Sequence, residues 1–282
     1  MTDARAIWQR LETLHALTYF AEESRDAARA AGLKGFWMGY FGFRAAPMGP
    51  VDAATVERAV FNFAPAMVAR AIPDAWDHAS PEALVATRSR AAAAALRRVL
   101  PEVDELAGKV NPSLDAVVLS AEPTGPLSAA NATLPRPDDP VEDLWQLTTT
   151  LREHRGDAHV TLLRESGVDG CEAHHLHAAE HGTPHEILKD SRGWTDHEWA
   201  AADARLAARG LVLAGELTQE GHGVRHRIEQ ETDRRAQIPF DAALDHRQIA
   251  HLHGELTRPA RVVARGGVIP FPNPMGLELI ED

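Results

Sequence analysis

Two stretches of the chain follow one order of punctuation, and this echo restricts the folds open to it. From Ala4 to Pro101, a helical pattern carrying His15 and Arg25-Asp26 runs into the break Gly32-Leu33-Lys34-Gly35. An aromatic segment follows, then a helix start at Asp52. Ser80-Pro81-Glu82 then opens a long Ala/Arg helix that ends at Pro101. From Pro140 to Pro239, a helical pattern carrying His154 runs into Gly167-Val168-Asp169-Gly170. A helix starts at Thr195, and Thr218-Gln219-Glu220 opens a long Arg-rich helix that ends before Pro239. Half-domains descended from one duplication pack about a pseudo-twofold axis, and the groove between them is a natural ligand site. The expected architecture is mainly α: two winged-helix-like units in tandem repeat with a minor β wing. The units span 1–101 and 140–239. A Pro-rich connector covers 102–139, and a C-terminal helix and tail cover 240–282. The echo lies in order and punctuation, with little residue identity, so two unrelated helical hairpins with Gly breaks remain the alternative.

Composition supports helix. Alanine dominates, aromatic residues make up 6%, and long β-branched alternation is missing. The net charge of −12 disfavours non-specific contact with DNA or anionic lipid. The single cysteine, Cys171, leaves no intramolecular disulfide and no Cys-based zinc site. Residues Met1 to Arg10 carry no apolar signal region, and no apolar run reaches the roughly 18 residues of a membrane span. A cytoplasmic protein without membrane contact is expected, as a monomer or homodimer.

Ile7, Leu11, Leu14, His15 and Thr18 share one helical face, and Gly32 is a C-cap candidate. The segment from Gly35 to Pro50 holds five of the sixteen aromatic residues. Asp52 caps a helix reaching about Arg70, and Ser80-Pro81 caps another. Between Asn111 and Pro140 the proline density argues against a long helix and for a segment laid over the surface. Asp139-Pro140 then starts a strong helix. Residues 192–237 have the cadence of a winged helix-turn-helix. Thr195 to Arg209 lies at the recognition position, Arg209 to Thr218 forms a two-stranded wing, and Gln219 to Ala236 is the following helix.

The string Gly193-Trp194-Thr195-Asp196, then Arg209-Gly210-Leu211 and Leu217-Thr218, resembles the winged-helix core of MarR-type regulators. Most of the chain is similar to a family of actinobacterial helix-turn-helix proteins. The resemblance lies in Gly35 to Phe41, Arg44 to Gly49, Leu151 to His159 and Arg192 to Thr195. It implies no settled activity; specialised metabolism is the setting it suggests. MarR-type proteins are typically DNA-binding dimers that respond to small molecules, which is implied only for a chain keeping a basic reading head. Here Asp196, Glu198 and Asp203 oppose Arg205 and Arg209 on the candidate recognition helix. Arg225, Arg227, Arg234 and Arg235 interleave with acids and read as a solvated face. Specific DNA binding is therefore not expected.

His15 and His154 occupy matching repeat positions and point inward in the expected packing. An interior histidine can move protons near neutral pH or bind a metal; its bland role is a hydrogen-bonded core residue. Asp157, three residues after His154, could fix that imidazole. Gly156 costs the helix roughly 1 kcal/mol and leaves room for close approach. His159 lies about 140° round the helix from His154 and serves a different face. Arg152, Glu153 and Arg155 read as an exposed ion-pair face. Trp37, Tyr40 and Arg44 could wall a pocket, with Arg44 facing an anionic group, or could simply pack a core helix. The cluster from His174 to His185 reads as a surface helix and loop. No phosphate loop, dinucleotide fingerprint, nucleophile elbow or zinc-protease motif is present. The leading expectation is a small-molecule-binding protein, leaning towards a cofactor-independent acid–base enzyme catalysing an elimination, cyclisation or hydrolysis between the units. His154, Asp157 and His15 would be catalytic and Tyr40, Arg44 and Trp37 would bind substrate, with no residue assigned to a metal. The alternatives are a ligand-responsive MarR-type regulator and a metal- or haem-binding protein using His15 and His154.

Overall fold

A computed structural model describes residues 4–280. The fold is mainly α with one small hairpin. The first half contains α1 (Ala4–His15), α2 (Leu17–Phe20), α3 (Glu22–Ala30), α4 (Gly35–Ala45), α5 (Ala53–Val60), α6 (Pro65–Ala69) and α7 (Pro81–Val99). Next come α8 (Val103–Ser120), α9 (Pro126–Ala132) and the long α10 (Pro140–Glu165). The second half continues with α11 (Gly170–His181), α12 (His185–Arg192), α13 (Asp196–Ala208), β1 (Val212–Leu213), β2 (Glu216–Leu217), α14 (Gln219–Ala243) and α15 (His246–Arg265).

Side-chain oxygens set the helix starts. Asp52, Ser80, Asp139, Thr195 and Thr218 each accept a backbone N–H of the first turn they precede, satisfying donors that the helix leaves open. The β1–β2 hairpin pairs Val212 with Leu217 and Leu213 with Glu216. Ala214 and Gly215 both take positive φ, 51° and 83°, as a two-residue hairpin turn of this hand requires.

Helix α10 is the hub, packing against α1, α7, α8, α9 and α14. The largest core draws Leu11 and Leu14 from α1, Leu114 from α8, Trp145 from α10, Phe240 from α14 and Leu256 from α15. Smaller cores hold α4 to α7 together, around Phe41 and Ile72, and α11, α13 and the wing, around Leu206 and Val212.

Several expectations change. A short helix is in place at the start of the 102–139 segment, but it runs on through Pro112 to Ser120, and the part from Asn111 is not simply laid over the surface. Val103, Leu106, Ala107, Val110, Leu114 and Val117 are buried on one side of α8. Burying these apolar side chains at roughly 1.5–3 kcal/mol for each large one outweighs an internal proline's cost of about 3 kcal/mol. Helix α14 likewise runs through Pro239 to Ala243. The helix expected from Asp52 to Arg70 is two helices, broken at Phe61–Ala64 ahead of Pro65. Between α6 and α7 the first half has a 3-10 turn, Asp74–Asp77, where the second half has the β1–β2 hairpin between α13 and α14. No helix among the described residues is long and apolar enough to cross a membrane.

Candidate functional site

Two adjoining cavities lie between the first-half helices and α10. The inner one, about 160 Å³, is bounded by α1, α2, α3, α4, α7 and α10. The outer one, about 710 Å³, extends between α1, α4 and α5 on one side and α10, α11 and α14 on the other; tail residues Pro274 to Gly276 and Glu278 also line it. Tyr19, Phe36, Tyr40 and Arg44 line both and form the partition.

The inner chamber contains a hydrogen-bonded chain whose proton positions follow from counting donors. The single hydroxyl proton of Thr149 goes to the carbonyl of Trp145, at 2.8 Å. Thr149 Oγ1 must then accept from His15 Nδ1, at 2.9 Å. His15 Nε2 is left as an acceptor, and the Tyr19 hydroxyl, 2.9 Å away, donates to it. The His15 ring stacks on Trp145 with centroids 5.6 Å apart. Burial, with Arg152 adding to it, holds His15 well below the usual imidazole range; burial pushes the Tyr19 phenol upwards. Both groups are therefore neutral at neutral pH.

Beside this chain lies a buried ion network. Arg44 grips Glu153 with two parallel bonds, Nε to Oε1 at 3.0 Å and Nη2 to Oε2 at 3.1 Å, and donates Nη1 to the Tyr40 hydroxyl at 3.0 Å. Arg152 links Glu153, at 2.8 Å, to Glu12, at 3.3 Å. Although Glu153 is buried, these arginines hold its carboxyl down at about 2. The four charges balance.

Deeper in the outer cavity, Arg155 and Arg5 both bind Glu229 and Asp233, and Arg225 binds Glu180. The Thr232 hydroxyl proton goes to the Ile228 carbonyl, so His159 Nδ1 donates to Thr232 at 3.2 Å, and burial lowers His159 to about 4. His174 contacts the carbonyl of Asn62 at 3.0 Å, and burial lowers it to about 3.

The sequence-predicted residues divide between these places. His15, Tyr40 and Arg44 line the inner chamber; Trp37, Tyr40 and Arg44 line the outer one. His154 lines neither. Its backbone carbonyl accepts from Thr124, and its ring is set against the backbone at Glu122, on the side of α10 turned away from His15. Asp157 reaches the edge of the outer cavity, but its carboxylate accepts the N–H of Ser128, at 2.7 Å, and no bond joins it to His154. It caps α9, whose own cap position is Gly125, a residue without a side chain. A Cβ at Gly125 would lie 2.8 Å from the Asp157 side chain, so glycine keeps the cap in place. Burial raises Asp157 to about 6. His15 and His154 thus do not converge, and both ring nitrogens of His15 already have partners.

Other readings shift as well. Arg152, Glu153 and Arg155 are largely buried in ion pairs. His174 and His175 are buried, with α11 wedged against Trp199 and Asn62. Arg225 is buried and faces the cavity, whereas Arg227, Arg234 and Arg235 do pair with neighbouring acids on α14's outer face. Tyr19, Arg88 and Thr149 were not foreseen. Thr149 and Glu153 are four residues apart on α10 and share one face, and the only sequence signal was that stripe running on to Gly156. On α13, Arg205 binds Glu172 and Asp169, and Arg209, just past the helix end, binds Glu172.

A sequence profile described as a helix-turn-helix family matches residues 4–270 of the chain. No curated protein and no solved structure matches it.

Proposed function

The chain belongs to the helix-turn-helix family, and we propose that this member binds a small organic molecule in the two chambers and acts on it by cofactor-independent acid–base chemistry. The observation that carries the reading is the chain Thr149–His15–Tyr19 in the wall of an inner chamber. Tyr19 donates its proton to His15 and so offers its oxygen lone pairs to a ligand. As a substrate X–H bond breaks, its proton passes to the Tyr19 oxygen. The Tyr19 proton passes to His15 Nε2 in the same step, and the bonding electron pair stays on the substrate. His15 keeps its Nδ1 proton, so the step ends as an imidazolium facing the substrate anion; that pairing offsets part of burial's penalty on the charged ring, and passing both protons together avoids a free Tyr19 phenolate. Tyr40 and Arg44 orient the ligand, and Trp37 walls the outer chamber. An elimination or cyclisation begins with a step of this kind. This assigns the proton-handling role to Tyr19, with His15 behind it, in place of His154 and Asp157.

The ligand-responsive regulator is the second reading, favoured by family membership and the wing. The α13 arginines are engaged by Glu172 and Asp169, which leaves little charge for phosphates and supports the enzyme reading. The duplication remains part of the proposal, as the origin of a cavity between two halves. Superposing 4–101 on 140–239 tests it, with Gly32 expected to fall on Gly167.

A thermal-shift screen of small metabolites, followed by NMR of the hits with protein in D2O, tests the function. The expected result is a hit that raises Tm and whose acidic C–H exchanges for deuterium. Tyr19→Phe keeps the Tm shift and slows exchange by about 10²–10⁴-fold. Hits indifferent to both Tyr19→Phe and Arg44→Gln would reject the site.

A further inference from the structure

Resting on the reading of the chambers as a ligand site, we infer that the inner chamber takes a small organic anion: a carboxylate carried on a flat apolar body. The charged groups in its wall are Arg25, Arg29, Arg44, Arg88 and Glu153. Glu153 is neutralised by Arg44 and Arg152, and Arg29 pairs with Asp26 at 3.1 Å. Arg25 and Arg88 have no carboxylate partner among the described residues.

Arg88 is the telling group. It is 3% exposed, and every partner it has is neutral: the carbonyl of Phe43 at 2.8 Å, Asn131 at 2.8 Å and Gln146 at 3.2 Å. Its Nε has no hydrogen-bond partner at all. The hydroxyl of Ser24, 4% exposed and in the wall of the same chamber, is also without a partner. A buried cation hydrogen-bonded only to neutral groups and a buried hydroxyl without a partner are both costly; Glu153 is the nearby negative charge but is gripped by Arg44 and Arg152, and a carboxylate in the chamber supplies further negative charge and acceptors. Burial already lowers Arg88 to about 10, in keeping with a guanidinium that lacks its anion. Exposed Arg25 adds positive charge to the chamber's rim and would guide an anion in. The remainder of the wall, including Leu33, Phe43 and Trp145, suits a flat apolar body.

Calorimetric titration of the full chain with benzoate and phenylacetate, each against its neutral amide, and with inorganic phosphate, tests the inference. The acids are expected to bind at least tenfold more tightly than their amides. That preference should be lost in Arg88→Gln and reduced in Arg25→Gln, which lies on the surface and leaves the fold intact; helical circular dichroism checks both variants. Amides that bind as well as acids would overturn the charge assignment and leave the ligand site standing. Phosphate that competes as strongly as benzoate would overturn the organic body. Failure of both acids to bind, or acid binding unchanged in both variants, would overturn the inference, while the metabolite screen still decides whether the chambers bind ligands.

Discussion

Tyr19, His15 and Asp157 show how much a single buried group depends on its partner. Removing the Tyr19 hydroxyl leaves the buried His15 acceptor without its partner, so Tyr19→Phe should cost about 1–3 kcal/mol of stability, read from the urea midpoint. Asp157 gives a pH-dependent counterpart. Its folded value of about 6 exceeds the usual carboxylate value of 3.8. The stability attached to its protonated form is therefore present below about 3.8 and lost as pH rises through 6. Asp157→Asn keeps an oxygen for the Ser128 N–H and lacks the charge. It should stabilise the protein by roughly 1–3 kcal/mol above pH 6.5, and the gain should vanish by pH 4. A gain equal at both pH values would show that the buried charge is not its cause. Residue-scale legibility followed reach. Arg44 and Tyr40 stood out in an aromatic segment, whereas Arg152 and Glu153 looked like surface because their partners Glu12 and Arg44 lie more than a hundred residues away. Tyr19 falls at a helix break and carries no local mark.

Helix starts were legible because caps are local: Thr195 and Glu198 exchange bonds across three residues. Helix α8 was not, because Pro112 speaks for a break locally while α10, α14 and α15 supply the burial that overrides it. The hairpin after α13 was legible for the same local reason, its Ala214-Gly215 turn and Thr218 cap lying within a few residues of each other. The contact between α11 and the break after α5 is tight. A Cβ at Gly170 would lie 2.1 Å from the Phe61 carbonyl oxygen. Gly170→Ala should therefore cost at least 1–3 kcal/mol by forcing the two segments apart, measured as a lower thermal midpoint. Gly156 is the contrast. The nearest atom to an added Cβ is Glu153 Oε2 at 3.7 Å, so Gly156→Ala should gain about 1 kcal/mol from helix propensity. A loss there would mean that α10 needs the gap.

At the scale of the molecule, the histidines dominate acid behaviour. His15, His159, His174 and His177 are all depressed by burial, the last three to about 4, 3 and 4. Between about pH 6.5 and 4 the unfolded chain binds more protons than the folded one, so stability falls as pH falls, by about 1.4 kcal/mol per pH unit for each proton. Urea midpoints at a series of pH values check this, and a flat profile over that window would contradict the burial of these rings. The interior that depresses them also surrounds the two chambers, and the central claim is that a ligand belongs there. Crystallographic fragment screening of the full chain tests it most directly. The account predicts bound fragments in the inner chamber, with a polar atom within hydrogen-bonding distance of the Tyr19 hydroxyl. Fragments found only on the outer surface, with nothing but water beside Tyr19 and Arg88, would contradict it.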